Sequence, residues 1–156
     1  MSKDMFRIER SARIAAPAAE IAPHIEDFHR WSAWSPFEGD PSLERTFSGA
    51  PRGAGAGYAW TGKKAGAGRM EITEARADRV TIGLEFLKPF KAANTAEFRL
   101  EPEGEGTRVT WAMFGPVTLV SKVMGVFFDS DRMVGGQFEK GLASLKAVVE
   151  GARVAA

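Results

Sequence analysis

The sequence of 156 residues predicts one α+β domain, 1–156, in which a seven-stranded antiparallel sheet is covered by a long C-terminal helix. Two short helices are expected after the first strand. Between residues 43 and 115, short segments of alternating apolar and polar residues are separated by turn residues, as in a β-meander. After residue 131, apolar residues recur every three or four positions, which is the period of an amphipathic helix.

The first strand is predicted from Met5 to Ala15, where apolar and polar residues alternate. Ala16-Pro17 begins a helix, because proline suits the first helical position. Pro23 lies beyond the first turn and removes a hydrogen bond, so we expect the helix to kink or split there. Residues 29–41, HRWSAWSPFEGDP, are predicted to be an aromatic link in which two X-Pro steps disfavour helix.

Six further strands are predicted, and the short turns between them make the sheet antiparallel. They are Leu43–Ser48, Gly57–Lys63, Gly68–Ala75, Arg79–Leu87, Ala93–Pro102 and Thr107–Gly115. The apolar segment Val117–Phe128 that follows is too short to cross a bilayer. We expect it to form a short helix or lid, with contact to a membrane or a partner as the alternative.

The C-terminal helix is predicted from Asp131 to about Gly151, with Asp129, Ser130 or Asp131 as its N-cap. About 21 residues span roughly 31 Å, the length of a strand of about nine or ten residues. The helix can therefore cover a whole sheet. Its apolar stripe consists of Val134, Phe138, Leu142, Leu145, Val148 and Val149.

Composition excludes several classes of function. Hydrophobic residues make up 44% and charged residues 26%, as in ordinary soluble domains. The 21 basic and 20 acidic residues are interspersed, so we expect no nucleic-acid partner. The absence of cysteine excludes disulfides, thiol catalysis and cysteine-ligated metals. The N-terminal residues MSKDMFRIER lack an apolar core, so we expect neither signal peptide nor membrane anchor, and a cytoplasmic location.

The sequence contains no complete motif for binding a cofactor or a metal ion. Residues 57–64, GYAWTGKK, nearly match a phosphate-binding loop, but the final Ser or Thr is missing and a strand follows. His24 and His29 lie five residues apart without a cysteine or a convincing carboxylate set nearby, so we expect no metal site. We expect no cofactor either. His29 is the one plausible general base, provided that it turns towards a cavity.

Strand periodicity separates an apolar, aromatic inner face from a charged outer face. No Asp, Glu, Lys or His clearly points inward from the central strands, and Tyr58 and Asn94 are the best inward polar groups. The candidate ligand-binding residues are Tyr58, Trp60, Met70, Phe86, Asn94, Phe98, Trp111, Met113, Val134 and Phe138. The alternative is that these aromatic residues simply fill a solid core, and no catalytic residue is assigned.

Other residues around this inner face have two possible uses. Trp31 and Trp34 are predicted to be packing anchors rather than ligand contacts. Gly135, Gly136 and Gly141 weaken the long helix by roughly 1 kcal/mol each relative to alanine. They leave room either for a ligand or for close backbone approach.

Several stretches together resemble one known group. They are IAAP at 14–17, WSAWSP at 31–36, YAWTG at 58–62, GAGRM at 66–70, GTRVTW at 106–111 and FEKGL at 138–142. Over residues 5 to 150 the chain resembles the polyketide cyclase/dehydrase-like subfamily of the START-like superfamily SRPBCC. The resemblance implies the helix-grip fold of the birch-pollen-allergen type: a curved sheet around the C-terminal helix, with an apolar cavity between them. None of the stretches is a catalytic signature.

Three functions are compatible with this sequence. The first is binding of a hydrophobic or aromatic small molecule, since ligand pockets are mostly apolar with a few polar groups. The second, which the resemblance implies, is a cyclase or dehydratase that holds a polyketide-like chain for ring closure, since proximity alone lowers a barrier by several kcal/mol. The third, implied by the resemblance to the same superfamily, is a co-chaperone-like interaction module. We expect a monomer or weak homodimer without stable membrane insertion.

Overall fold

The structure, a computed structural model, describes residues 5–38, 40–64, 66–88, 91–116 and 126–155. The elements follow in the order β1 Met5–Ile14, α1 Ala18–Ile25, two 3₁₀ turns Phe28–Ala33 and Pro36–Glu38, β2 Glu44–Gly49, β3 Ala56–Gly62, β4 Gly66–Arg76, β5 Arg79–Lys88, β6 Ala92–Glu103, β7 Gly106–Pro116 and α2 Val126–Ala155. All seven strands belong to one antiparallel sheet. The predicted α+β class and helix-grip arrangement are therefore confirmed.

The strand order is β1-β7-β6-β5-β4-β3-β2, so that the first and last strands of the chain lie side by side. Each strand from β2 to β7 pairs with the next one along the chain, as short turns require. The predicted strand limits are correct to within one or two residues. Alternation also holds in β1, where Ile8 and Ile14 are fully buried.

The segment after β1 differs from the prediction in two ways: α1 is not split at Pro23, and the link that follows it contains 3₁₀ turns. Helix α1 continues through Pro23 to Ile25 instead of splitting, because Pro23 lies in the last turn and Glu26 N–H still donates to Ala22 O at 2.9 Å. The two 3₁₀ turns, Phe28–Ala33 and Pro36–Glu38, lie in the link that was expected to be non-helical. Hydrogen bonds of the i→i+3 type suit such short pieces, as between Arg30 N–H and Asp27 O.

The predicted start of the long helix is also wrong, because α2 begins at Val126 and Asp129–Asp131 lie within it. Acidic residues are favourable in the first turns of a helix as well as at its cap, so the same sequence signal fits both positions. Residues 117–125, on which most of the lid prediction falls, lie outside the described residues. Among the described helices, none is both long and apolar enough to cross a membrane.

The core lies between the inner face of the sheet and the two helices. Helix α1 contributes Ile21 and Ile25, and α2 contributes the predicted stripe, of which Val134 and Val148 are half-buried. Helix α2 packs chiefly along β1. Further fully buried side chains come from the first 3₁₀ turn, which contributes Phe28, and from the sheet, which contributes Ile72, Val80, Ile82, Phe98, Leu100 and Val109. This packing leaves part of the inner face of β3 to β7 free to border a cavity.

Candidate functional site

A cavity of about 490 Å³ lies between the inner face of the sheet, the 3₁₀ segment and α2. Its volume is within the range of roughly 300–1,000 Å³ that is usual for small-molecule sites. The described residues that line it are Trp31, Ser35, Pro36, Phe37, Asp40, Leu43, Tyr58, Trp60, Lys64, Met70, Leu84, Phe86, Ala96, Trp111, Met113, Val134 and Phe138. Most of these side chains are apolar, and seven of them are Phe, Trp or Tyr from the sheet, α2 or the 3₁₀ segment.

Strand pairing places the lining residues of the sheet next to one another. Tyr58 on β3 lies opposite Met70 on β4, which lies opposite Leu84 on β5. Ala96 on β6 lies opposite Met113 on β7. Because side chains alternate between the two faces of a strand, these partners all point to the same side.

One wall of the cavity ends in a stack of three aromatic rings. Trp111 stacks on Phe98 with a distance of 4.9 Å between ring centroids and an angle of 26° between ring planes. It also stacks on Phe138 of α2, with a centroid distance of 4.1 Å and an interplanar angle of 9°. Phe37 from the second 3₁₀ turn meets both Trp111 and Phe138 edge-on. The stack fixes α2 against β6 and β7 and brings Trp111 and Phe138 to the cavity wall.

A second aromatic group lies on β3 and β5. Trp60 contacts Tyr58 at 6.3 Å and Phe86 edge-on at 5.9 Å. Gly68 lies opposite Trp60 in β4, and a β-carbon there would come within 2.5 Å of the indole Cζ2. The missing side chain of Gly68 therefore makes the space that Trp60 occupies.

Eight of the ten candidate ligand-binding residues line the cavity: Tyr58, Trp60, Met70, Phe86, Trp111, Met113, Val134 and Phe138. Phe98 is fully buried behind Trp111. Asn94 lies opposite Gly115, where its amide oxygen occupies the space of the absent side chain, and it is not among the lining residues. Parity had placed both residues correctly on the inner face, but parity cannot say how far along a strand the hollow extends.

The residues that sequence reasoning missed come from the inner face of the sheet, from the link between α1 and β2 and, in the case of Lys64, from the turn after β3. Leu84 and Ala96 share the inner face with predicted residues, so strand parity was a sufficient signal for them. Ser35, Phe37 and Asp40 come from the link between α1 and β2, whose position over the sheet depends on tertiary packing. Trp31 was predicted to be an anchor and is one, since its indole N–H donates to Ile25 O at 2.7 Å, but it also borders the cavity.

Asp40 and Lys64 are the charged residues among the described lining residues. Asp40 Oδ1 accepts hydrogen bonds from the Ser42 backbone N–H at 2.9 Å and the Ser42 hydroxyl at 2.7 Å. Its Oδ2 accepts from Lys64 N–H at 2.8 Å. Asp40 thus ties the loop before β2 to the turn after β3. Its carboxylate has a clear role in positioning this end of the cavity.

His29 does not face the cavity. Its ring stacks on Phe47 at 4.0 Å, and its Nδ1 lies 2.9 Å from Asp27 Oδ1 on the surface. Burial opposes ionisation of Asp27, but hydrogen bonds from the His29 side chain and backbone, with the charges of His29 and Arg30, outweigh it and lower the pKa of Asp27. The Asp27–His29 pair is therefore a surface interaction at the start of the first 3₁₀ turn.

The lining shows no imidazole and no carboxylate–imidazole pair among the residues that the structure describes. In the same part of the chain, no group of three or more His, Asp or Glu side chains is arranged to hold a metal ion. What the described cavity offers a bound molecule is mainly shape and aromatic surface, together with the polar side chains of Ser35, Asp40, Tyr58 and Lys64 in its lining.

The helix glycines allow close approach at two positions. A β-carbon at Gly141 would lie 2.8 Å from Pro36 Cδ and 2.8 Å from Trp111 Cζ3, and one at Gly135 would lie 2.5 Å from the Arg10 guanidinium carbon. Arg10 Nε also donates to Glu139 at 2.9 Å. At Gly136 no atom lies within 4 Å. Close packing therefore accounts for Gly135 and Gly141, and Gly136 faces open space.

The outer face of the sheet carries the mixed charges that periodicity predicts. Arg69 and Glu85 are cross-strand partners whose charged groups lie 2.6 Å apart. Arg99 pairs with Glu9 across the β1 side of the sheet. Exposed pairs of this kind contribute little net stability, so they indicate a solvated surface.

Comparison with known proteins gives a family and a set of related folds. The sequence model of the family described as "Polyketide cyclase / dehydrase and lipid transport" matches residues 5–150. A search of curated proteins finds no match.

Among solved structures, the di-domain ARO/CYC StfQ from the steffimycin biosynthetic pathway is similar with a TM-score of 0.75 and 12% identity. The similarity covers 96% of this chain and 52% of StfQ. Protein Ms6760 from Mycobacterium smegmatis has a TM-score of 0.63, 20% identity and coverage of 94% and 92%. The Aha1 dimer from Colwellia psychrerythraea has a TM-score of 0.63, 15% identity and coverage of 93% and 96%.

These identities are low, so the solved structures show the shared fold alone. The family match spans nearly the whole chain and agrees with the resemblance carried by its sequence stretches. The chain therefore belongs to the polyketide cyclase / dehydrase and lipid transport family, within the START-like superfamily SRPBCC.

Proposed function

We propose that this protein binds a hydrophobic, aromatic small molecule in the cavity between the sheet and α2. The single observation that carries the proposal is a hollow of about 490 Å³ with a lining that is mostly apolar. An empty apolar hollow loses dispersion contacts, which an apolar ligand restores. The volume is several times that of one buried water, so it exceeds ordinary packing defects.

The aromatic surfaces favour a flat ligand. Trp111 and Phe138 present stacked rings on one side, and Trp60 and Phe86 present an edge-on pair on another. Rings pack well on other rings in offset-stacked or edge-to-face geometry, so a lining with this many aromatic side chains favours an aromatic ligand. A planar aromatic body would therefore gain more contact than a flexible chain of the same volume.

The test uses one substitution on each face of β5. Leu84→Trp places a larger side chain in the cavity, whereas Leu87→Trp places the same side chain on the opposite, exposed face. We expect polyaromatic ligands, sterols or fatty acids to change tryptophan fluorescence and raise the melting temperature of the wild type by mass action. Leu87→Trp should retain both effects.

Leu84→Trp should weaken binding by about tenfold or more, as expected when the new side chain competes for the same volume. A broad lipophilic panel without any fluorescence or thermal response in the wild type would contradict the proposal. Equal affinity of Leu84→Trp and Leu87→Trp would place the ligand elsewhere.

A cyclase or dehydratase is the second candidate, because the family description names these enzymes. Tyr58 is the titratable hydroxyl among the described lining residues, and Asp40 and Lys64 lie at the same cavity. If the protein turns over a model polyketone, Tyr58→Phe should slow the reaction. His29→Ala should not, because His29 lies outside the cavity. Equal rates for wild type and Tyr58→Phe would remove Tyr58 from the mechanism.

A protein-interaction role has less support. The large apolar side chains that are exposed among the described residues are Phe37, Phe47 and Leu87. The outer sheet face carries ion pairs rather than an apolar patch. We expect a monomer or weak homodimer in light scattering, and a stable stoichiometric partner recovered from lysate would instead favour the interaction module.

A further inference from the structure

We propose that the cavity selects amphipathic ligands that carry one anionic oxygen group on an aromatic body, and that Lys64 binds this group. The inference rests on the proposed function and names the ligand class of the same cavity. It starts from the distribution of charge in the lining, where Asp40 and Lys64 are the charged members among the described residues.

The two charges lie together rather than on opposite sides of the hollow. Lys64 follows the end of β3, and its backbone N–H donates to Asp40 Oδ2 at 2.8 Å. A ligand with one polar end and one apolar end would therefore place its polar end here. Its apolar body would lie against the rings on the sheet and α2.

The carboxylate of Asp40 is already engaged. Three hydrogen bonds, two from Ser42 and one from Lys64 N–H, hold both of its oxygens and fix its position. Donors that converge on a carboxylate stabilise its charge and leave it less able to bind a cationic ligand. Asp40 thus holds the loop before β2 to the turn after β3.

Lys64 differs from Asp40 in mobility. Its side chain is exposed, and none of the ion pairs found among the described residues includes it. A lysine ammonium sits on a flexible stem of four carbons, which can lie along apolar surface while the charge turns towards an acceptor. Since the Asp40 carboxylate is fixed and the Lys64 side chain can move, the Lys64 ammonium is the charged group that can reorient towards a ligand.

An anionic group at this end would form a charge-assisted hydrogen bond with the ammonium group. Partial exposure to water keeps the gain modest, so removal of the charge should change affinity by about threefold to tenfold. A cationic head would meet Lys64 without a mobile carboxylate to offset it. The arrangement therefore discriminates by charge, while the rest of the cavity discriminates by shape.

The experiment uses two fluorescent probes that share the same rings. 8-Anilinonaphthalene-1-sulfonate carries an anionic group, and N-phenyl-1-naphthylamine is its neutral counterpart. Both are titrated into the wild type, Lys64→Met and Lys63→Met. Methionine keeps most of the apolar stem of lysine, and Lys63 is an exposed neighbour that does not line the cavity. Melting temperatures verify that both variants fold.

Lys64→Met should weaken binding of the sulfonate probe by about threefold to tenfold and change binding of the neutral probe by less than about twofold. Lys63→Met should change neither affinity beyond about twofold. The Lys64 effect should shrink as salt is raised, because salt screens an exposed charge pair. Leu84→Trp should weaken both probes, which verifies that they occupy the cavity.

Two results would overturn the inference while leaving the proposed function intact. One is equal weakening of both probes by Lys64→Met, and the other is equal loss of sulfonate binding in Lys63→Met. Failure of both probes to bind the wild type would overturn the proposed function together with the inference.

Discussion

Alanine substitutions at two glycines of α2 should have opposite effects on stability. In a helix interior, Gly→Ala stabilises by about 1 kcal/mol because alanine loses less backbone entropy on folding. At Gly136 a β-carbon meets no atom within 4 Å, so Gly136→Ala should raise the free energy of unfolding by about 0.5–1 kcal/mol.

At Gly141 the same β-carbon would lie 2.8 Å from both Pro36 Cδ and Trp111 Cζ3. Both atoms belong to rigid rings, and Trp111 is held in its stack by Phe138 at 4.1 Å. Overpacking of this kind costs about 1–3 kcal/mol, which equals or exceeds the gain in helix propensity. Gly141→Ala should therefore be less stable than Gly136→Ala by about 1–3 kcal/mol.

Urea denaturation monitored by tryptophan fluorescence measures this difference. The midpoint should shift while the slope m stays the same, since neither variant changes the surface exposed on unfolding. For a domain of this size, each kcal/mol also shifts the melting temperature by about 2–4 °C. Equal stabilisation by the two substitutions would show that α2 does not approach Pro36 and Trp111 as the structure has it.

Three further predictions concern the packing around the site. Thr107→Val should lower the free energy of unfolding by about 1–2 kcal/mol, because the buried Thr107 hydroxyl donates to Ala16 O at 2.8 Å and its loss leaves that carbonyl unpaired; chemical denaturation that shows no loss would mean that water replaces the hydroxyl. Trp31→Phe should cost about 1–3 kcal/mol by removing the buried indole bond to Ile25 O, and a melting temperature equal to that of the wild type would refute this. Burial, followed by the charge of Arg30, lowers the pKa of His24 below its ordinary 6.5. The unfolded chain therefore binds the proton more readily, so the His24 contribution to stability is present above pH 6.5 and is lost as pH falls towards the folded-state pKa. His24→Gln should flatten the stability profile in that window, and an unchanged slope would assign the pH dependence to another group.

Local patterns in the sequence predicted most of the fold. Period-two alternation and turn residues located six strands of the meander to within one or two residues, because each strand pairs with its sequence neighbour. The apolar stripe of α2 was predicted equally well from the spacing of its apolar residues. Errors occurred where a residue type suits two positions: Asp129–Asp131 fit a cap or a first turn, and Pro23 fits a break or a last turn.

The candidate site was predictable in part for the same reason. Parity selected the inner face, and eight of the ten candidate residues line the cavity. Parity could not separate Phe98, which is buried behind Trp111, from the residues that border the hollow. It also could not show that His29 stacks on Phe47 at the surface, because that contact joins the 3₁₀ segment to the edge strand β2.

The sequence by itself determined which elements form, which face of each is apolar, and that Asp, Glu, Lys and His stay off the inner face of the central strands. These properties depend on spacings of two to four residues along the chain. Only the tertiary structure decided that a cavity remains, that the link containing Phe37 and Asp40 borders it, and that Lys64 lies at its polar end. Such properties depend on how far α2 and the link stand from the sheet, a distance set by contacts between residues far apart in sequence, such as Gly141 against Pro36 and Trp111.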